Sequence, residues 1–204
     1  MRLEHHLRHM PDPRFRSRLK ADILGSIPHV AIDTVDAQRI GILADTHCDD
    51  RRPLPESVLV ALAGSDLIVH CGDITAFSVL DRLESLAPVL AVRGDTDRGE
   101  DPRVADRARV IEAGGFRIGV TFDLKLPPGV RPDEDHPETR ELIQRTFAGQ
   151  VDMVVAAATH VGSLQRWRDT WILNPGSPTL PANGIKSVAV VEIDDDLRPR
   201  LVQL

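Results

Sequence analysis

Four short apolar segments, each followed within a few residues by Asp or His, constrain the fold of this chain more than any other feature. They are Ile40–Ala44, followed by Asp45 and His47; Leu67–Val69, followed by His70 and Asp73; Val89–Val92, followed by Asp95 and Asp97; and Met153–Ala158, followed by His160. Short apolar runs of this kind are typical of strands that are buried on both faces of a parallel sheet. Ligands of such sheets bind beyond the carboxyl ends of the strands, so the sequence predicts that these polar side chains converge.

The segments around these runs predict an α/β domain. Helices are predicted at Glu56–Ala63, Phe77–Leu86 and Glu138–Phe147, strands at His29–Val35, Arg39–Ala44, Asp66–Cys71, Pro88–Val92, Arg109–Glu112, Phe116–Phe122, Asp152–Ala157, Thr170–Leu173, Ser187–Ile193 and Leu201–Leu204, and a Pro- and Asp-rich loop at Leu126–Pro137. Alternating strands and helices followed by antiparallel strands indicate a largely parallel sheet with a second group of strands. We predict one domain over residues 29–204, preceded by a basic N-terminal extension over residues 1–28.

Composition and charge narrow the function classes. The net charge is -6 and the aromatic content is 3% with no Tyr, which argues against nucleic-acid binding because single-strand platforms rely on stacking rings. Residues 1–20 hold six Arg or Lys against two Asp or Glu, so this extension is the candidate contact element for a protein partner. The chain has two cysteines, no signal-peptide pattern and no apolar run of membrane-spanning length. These features predict a cytoplasmic protein without a membrane span.

The donor types at the strand ends point to a metal site. Singly, each motif has an ordinary explanation, because Asp-x-His after a strand is often a helix cap and Gly-Asp is a common turn pair. Four such motifs at neighbouring strand ends favour convergent ligands instead. Mixed carboxylate oxygens and imidazole nitrogens suit zinc, manganese or iron better than calcium, which prefers oxygen alone. We interpret the nearby Cys48 and Cys71 as small buried residues rather than ligands.

The order and spacing of the motifs resemble those of the calcineurin-like metallophosphoesterases, above all their small single-domain phosphodiesterase branch. The matching segments are Gly41–His47, Asp66–Ile74, Val92–Asp97, Thr159–His160 and Ile172–Pro178. The resemblance covers about residues 39–193. It implies a four-layer α/β/β/α sandwich of two mixed sheets, with one or two metal ions between the sheet ends.

The resemblance also implies a ligand set. The ligands of the first ion are Asp45, His47, Asp73 and His160. In the family the carboxylate at Asp73 bridges to a second ion, whose usual Asn ligand is replaced here by Asp95. Two further His positions of the second site read Phe122 and Ala158, which have no lone pair to donate. The resemblance therefore predicts one complete metal site beside a degraded one.

We expect from these residues a metal-dependent phosphoesterase that hydrolyses a small phosphomonoester or phosphodiester with a metal-activated water. Asp73 and Asp95 are the expected catalytic residues, and the expected cofactor is one or two ions of manganese, zinc or iron. Asp123 is a further candidate ligand for a weak second ion. Arg93 and Arg98 are candidates for charge on the phosphate, with surface salt bridges as the alternative.

A catalytically inactive scaffold of the same fold, or a metal-binding interaction protein, is the alternative. The family contains a retromer subunit that acts by interaction, and the basic N-terminal extension would then be the contact element of this chain. The complete first site favours the hydrolase, because a pure scaffold has no evident need to keep it.

Overall fold

Two six-stranded sheets form the frame of the protein, whose computed structural model describes residues 30–125 and 137–204. The predicted N-terminal extension and nearly all of the loop predicted at Leu126–Pro137 lie outside these residues. The strands are β1 (Ala31–Thr34), β2 (Arg39–Leu43), β3 (Leu67–His70), β4 (Val89–Val92), β5 (Val104–Ala105), β6 (Ala108–Ala113), β7 (Phe116–Thr121), β8 (Met153–Ala156), β9 (Ser163–Trp167), β10 (Thr170–Asn174), β11 (Ser187–Ile193) and β12 (Leu197–Gln203). The helices in the described part are α1 (Glu56–Leu62), α2 (Ser78–Glu84) and α3 (Pro137–Thr146).

Both sheets are mixed. The first sheet has the strand order β1-β6-β7-β8-β10-β9, in which β7, β8 and β10 are parallel. The second has the order β12-β11-β2-β3-β4-β5, in which β2 to β5 are parallel. The register pairs Leu43 with His70 and His70 with Ala91, so the loops after β2, β3 and β4 leave the second sheet at one level. These loops form one wall of the candidate site.

Three apolar clusters hold four layers together. Between the sheets lie Ile42, Val69, Ile111, Ile118, Val155 and Leu173. Beneath α1 and α2, the outer face of the second sheet packs through Val58, Leu62, Leu80, Leu83, Leu43 and Ile68. Beneath α3, the outer face of the first sheet packs through Ile143, Phe147, Val110 and Val154. The predicted α/β/β/α sandwich of two mixed sheets is therefore confirmed.

Edge strands account for most differences from the predicted bounds. β1 is shorter than the predicted His29–Val35, and β12 begins earlier than the predicted Leu201–Leu204. The sequence did not predict β5 or β9, which are the outermost strands of their sheets. An edge strand has solvent on one side, so it lacks the continuous apolar run that identifies a central strand.

Candidate metal centre

Four of the five predicted metal ligands meet beyond the carboxyl ends of β2, β3 and β8. They are Asp45, His47, Asp73 and His160, and one donor atom of each lies within 4.8 Å of the others. Nε2 of His47 lies 3.3 Å from Nε2 of His160 and 3.4 Å from Oδ2 of Asp73. Nε2 of His160 lies 3.7 Å from Oδ1 of Asp45. Two carboxylates and two imidazoles therefore surround one point, which suits a transition metal or zinc.

The backbone holds these four residues in an uncommon conformation. The φ angles of Asp45, His47, Asp73 and His160 are 49°, 43°, 54° and 57°. The amide of Asp45 donates to the carbonyl of Gly72 at 3.0 Å, and the amide of His47 donates to the carbonyl of Asp73 at 3.0 Å. These bonds extend the pairing of β2 with β3 into the loops. A positive φ at a non-glycine residue is strained and persists only where the surrounding structure stabilises it. Such residues are concentrated at functional sites.

The carboxylate of Asp45 is the most unusual group of the cluster. Its side chain is fully buried, and no donor meets hydrogen-bond geometry with Oδ1 or Oδ2. Burial raises the pKa of Asp45 to about 6; the nearby His160 counteracts only part of this increase, and the nearby backbone N–H groups of Ala158 and His160 lower the pKa slightly. A buried carboxylate without a partner is unfavourable unless a cation or a proton neutralises it. The donor set therefore fits a bound cation.

The two histidines are oriented to present lone pairs. Nδ1 of His160 lies 2.8 Å from the carbonyl oxygen of Leu180, so its N–H donates there and Nε2 is left free to accept. Burial lowers the pKa of His47 below its usual value, although Asp73 opposes this effect. His47 is consequently neutral at neutral pH, which is the form that binds a metal.

Asp73 has one oxygen facing the cluster and one engaged elsewhere. Oδ2 lies near His47, whereas Oδ1 accepts hydrogen bonds from the amide of Thr96 at 2.9 Å and from its hydroxyl at 3.0 Å. Gly94 makes this approach possible, because a Cβ at that position would lie 2.1 Å from the backbone nitrogen of Asp73. Only glycine allows the loop after β4 to pack so closely on this carboxylate.

Asp97 braces the same two loops from below. Its Oδ1 accepts hydrogen bonds from the amides of Ile74 and Thr75 at 2.7 and 2.8 Å, and its Oδ2 accepts one from Gly94 at 2.8 Å. The side chain is buried, and it lies outside the four-residue cluster. Asp97 thus holds its loop by hydrogen bonds and does not face the metal-ligand cluster.

The segment Asn174–Ser177 supports the cluster from the opposite sheet. Nδ2 of Asn174 donates to the carbonyl of Ala157 at 2.9 Å and to the hydroxyl of Thr159 at 3.0 Å, which anchors the loop that leads to His160. The hydroxyl of Ser177 donates to the carbonyl of Asp45 at 2.7 Å. This segment therefore positions the loops of the cluster and contributes no ligand to it.

His70 does not join the other strand-end residues. It is fully buried, its Nε2 lies 3.0 Å from the hydroxyl of Thr46, and its Nδ1 accepts from the amide of Gly72 at 3.3 Å. Burial lowers the pKa of His70 to about 4. It is a neutral structural histidine beside the cluster, so the expectation that every strand-end polar residue converges is wrong at this position.

The surroundings of Asp73 do not supply a comparable second set of ligands. Asp95 has an exposed side chain and lies outside the cluster. Phe122 is buried against Gly72, and Ala158 has only a methyl group to present. Asp123 is exposed, and its Oδ1 accepts the backbone amide of Lys125 at 2.9 Å. The predicted ligand role of Asp95 therefore stays a prediction.

Sequence reasoning missed two residues that orient the cluster. Thr96 lies between Asp95 and Asp97 in a motif that the sequence already singled out, and its hydroxyl was a readable signal. The carbonyl of Leu180 gave none, because every residue has a backbone carbonyl and only the fold brings this one to His160.

Comparisons with known proteins agree with this geometry. A family model described as the calcineurin-like phosphoesterase superfamily domain matches residues 39–196. The chain is 34% identical over 168 residues, 81% of each sequence, to a protein of Methanocaldococcus jannaschii named a probable metallophosphoesterase. Similar solved structures include Vps29 of Entamoeba histolytica in complex with zinc, at 22% identity and a TM-score of 0.60 over 81% of this chain and 98% of that chain. An archaeal phosphodiesterase is similar at 22% identity and a TM-score of 0.61 over 81% and 99%. At these identities the two structures support the fold alone.

Proposed function

The chain belongs to the calcineurin-like phosphoesterase superfamily, and from this premise we propose that it is a metal-dependent phosphoesterase that works with one divalent ion. The ligands of the ion would be Asp45, His47, Asp73 and His160. The observation that carries the proposal is the fully buried carboxylate of Asp45, which has no hydrogen-bond partner and lies among three other metal-binding side chains. Manganese, zinc and iron remain the predicted ions, since each accepts mixed oxygen and nitrogen ligands.

Hydrolysis needs a polarised phosphoryl group and an acidified water. A divalent ion at this position would supply both effects as a Lewis acid. Neighbouring residues of the chain orient the ligand side chains for this ion. The carbonyl of Leu180 keeps the proton of His160 on Nδ1, and Thr96 fixes the rotation of the Asp73 carboxylate. Because the ligands are oriented before substrate arrives, little reorganisation is needed when charge develops in the transition state.

A second ion is not part of the proposed mechanism. Phe122 and Ala158 lack donor atoms, and Oδ1 of Asp73 already accepts two hydrogen bonds. We propose that Asp73 acts as a metal ligand to one ion only. Asp95 lines the adjoining cavity, and its predicted catalytic role stays a prediction.

The alternative function, a non-catalytic interaction protein, is favoured by one observation. Two side chains of the second site, Phe122 and Ala158, cannot bind a metal. The predicted contact element for a partner, residues 1–28, lies outside the described residues. The partner, the cytoplasmic location and the absence of nucleic-acid binding stay predictions. In the described part of the chain, no helix is long and apolar enough to cross a bilayer.

Metal analysis combined with kinetics separates the two functions. The purified protein is analysed for bound metal, and hydrolysis of bis(p-nitrophenyl) phosphate is measured with added manganese. We expect one ion per chain and a turnover that Asp45→Asn abolishes. The matched control is Asp195→Asn, an exposed carboxylate outside the cluster, which should retain both properties. Less than one bound ion and no turnover, unchanged by Asp45→Asn, would contradict the phosphoesterase and favour the interaction protein.

A further inference from the structure

A cavity of about 420 Å³ has in its wall Asp95 and Phe122, which occupy two ligand positions of the second metal site that the family resemblance implies. The residue before Asp95 is Gly94, where a Cβ would lie 2.1 Å from the backbone nitrogen of Asp73. Phe122 packs on Gly72, the residue before Asp73, where a Cβ would lie 2.7 Å from its ring. Through these two glycines, the residues in the cavity wall contact the loop that carries Asp73, although none of the four candidate ligands lines the cavity.

With one divalent ion, the metal centre would have no net positive charge to add to the direct contact between the ion and a phosphate anion. Asp45 and Asp73 each carry one negative charge when they bind a metal, and the histidines bind as neutral ligands. One divalent ion would cancel these two charges and leave a neutral centre. The second ion that the family resemblance implies would have added two positive charges. In a one-ion site, positive charge for the phosphate must come from side chains.

The two arginines that the sequence suggested for this role have other contacts. Arg93 pairs with Asp106 at 3.1 Å and donates to the carbonyl of Gly99 at 2.8 Å. Arg98 donates to the carbonyl of Asp95 at 2.7 Å. Both guanidinium groups hold the loop after β4, so they act as structural contacts of that loop.

Two other basic residues, Arg107 and Lys125, line the same cavity. Both are exposed, and neither side chain forms a hydrogen bond or ion pair with the described residues. Their backbones are fixed, because the hydroxyl of Thr121 donates to the carbonyl of Arg107 at 3.1 Å and the amide of Lys125 donates to Asp123 at 2.9 Å. Two cationic side chains without a partner among the described residues therefore line this cavity.

We propose that Arg107 and Lys125 bind the anionic phosphate group of the substrate and supply the positive charge that a second ion would have supplied. This inference rests on the proposed function. The apolar side chains Phe122, Leu124 and Leu142 line the same cavity and would contact the uncharged part of a phosphoester. Its volume, about 420 Å³, falls within the range of roughly 300–1,000 Å³ that small-molecule sites occupy.

Three carboxylates line the same cavity. Asp106 pairs with Arg93, whereas Asp95 and Asp123 oppose the charge of Arg107 and Lys125. A phosphate that enters must compete with them, so replacing Asp123 by Asn should tighten phosphate binding. If the carboxylates instead held a second ion that bound the phosphate, the same substitution would weaken it. The sign of this effect therefore separates the two arrangements.

Calorimetric titration of inorganic phosphate into the manganese-loaded protein tests the proposal directly. We expect Arg107→Gln and Lys125→Gln each to weaken phosphate binding roughly tenfold, as the loss of one charge-assisted hydrogen bond implies. Asp123→Asn should strengthen it, and bound manganese should stay at one ion per chain. Arg200→Gln, an exposed arginine on β12, is the matched control and should bind phosphate as the wild type does.

Kinetics with bis(p-nitrophenyl) phosphate then distinguish this proposal from the proposed function. If the wild type shows no turnover but the double variant Arg107→Gln/Lys125→Gln loses phosphate binding, the phosphate site stands and the phosphoesterase is wrong. If the wild type turns over and the double variant keeps its KM and its phosphate affinity, the phosphate site is wrong and the phosphoesterase stands. A wild type that binds no phosphate, or an Asp123→Asn variant that binds it less well, also overturns the proposal.

Discussion

Oδ1 of Asp73 accepts two hydrogen bonds from Thr96, one from its backbone amide at 2.9 Å and one from its hydroxyl at 3.0 Å. The other oxygen, Oδ2, lies 3.4 Å from Nε2 of His47. A carboxylate oxygen has two lone pairs, and both of those on Oδ1 have a donor. Oδ1 of Asp73 is therefore occupied by its two donors, and Oδ2 is the oxygen that faces the other metal-binding side chains.

This contact predicts the metal stoichiometry. The wild type should bind one divalent ion per chain, and the combined variant Thr96→Ala, Phe122→His and Ala158→His should bind close to two. The substitutions free one lone pair of Asp73 and introduce two imidazoles at positions that now have no donor. Elemental analysis after dialysis against excess manganese measures both numbers.

Phe122→Leu serves as the control for the lost aromatic ring, and it should keep one ion. Circular dichroism establishes that each variant is folded before its metal content is compared. Two ions in the wild type, or one in the folded triple variant, would show that Thr96, Phe122 and Ala158 do not limit the second position.

The buried carboxylate of Asp45 should favour metal binding but destabilise the metal-free protein. The pKa of Asp45 is about 6 in the folded protein against a usual value of 3.8. A raised carboxyl pKa favours folding at low pH, and this contribution is lost as the pH rises through about 6. At pH 7.5 the ionised side chain therefore destabilises the metal-free protein, by about 3 kcal/mol if the whole shift is counted.

Asp45→Asn removes the charge and keeps a residue type that tolerates positive φ. We expect its free energy of unfolding in the presence of a chelator to rise by about 1–3 kcal/mol, since the buried amide still lacks some hydrogen bonds. Thermal unfolding at pH 7.5 measures this change. Manganese should raise the Tm of the wild type and leave that of the variant unchanged. A metal-free variant that melts below the wild type would contradict the interpretation of Asp45.

Metal affinity should depend on pH through the same group. Asp45 must be ionised to bind a cation, and its pKa is about 6. Below that pH the metal has to displace a proton, so affinity should fall about tenfold per pH unit. Burial lowers the pKa of His47, so protonation of this ligand adds to the slope at a lower pH than it would for an ordinary histidine. Titration calorimetry from pH 5 to pH 8 tests this; a constant Kd between pH 5 and pH 7 would exclude Asp45 as a ligand.

The sequence predicted those parts of the fold in which a local residue pattern is typical of only one kind of structure. Central strands such as β2 and β3 are buried on both faces, which leaves a continuous apolar run in the sequence. Asp and His at the ends of such runs are costly to bury and uncommon without a role. These runs singled out the strand ends, and the family resemblance then selected Asp45, His47, Asp73 and His160 among the residues that follow them.

The contacts that the sequence did not predict join residues that are far apart in the chain. Nothing in the local sequence pairs Leu180 with His160, or Ser177 with Asp45, because the fold alone brings these atoms together. The position of His70 could not be predicted from its local sequence either. It follows an apolar run as His47 does, yet complete burial and a bond to Thr46 make it a structural residue.

The last prediction concerns Asp97, which stabilises the loops without belonging to the cluster. Its two oxygens accept three backbone N–H groups, from Ile74, Thr75 and Gly94. Asn at this position has one acceptor oxygen, and its amide nitrogen would face at least one of these donors. Because a buried unsatisfied donor costs about 1–3 kcal/mol and a charged acceptor is lost as well, we expect Asp97→Asn to lower the free energy of unfolding by about 2–4 kcal/mol.

Urea denaturation measures that loss, with Asp195→Asn as the exposed control. The loop that Asp97 braces contains Gly94 and Thr96, so manganese affinity should also fall, by roughly tenfold, as is usual when a residue that supports a metal ligand is removed. Turnover at saturating manganese should recover most of its wild-type value, because no ligand is missing. An Asp97→Asn protein as stable as the control would contradict the bracing role, and one that binds manganese normally but has no turnover would assign Asp97 to the chemistry.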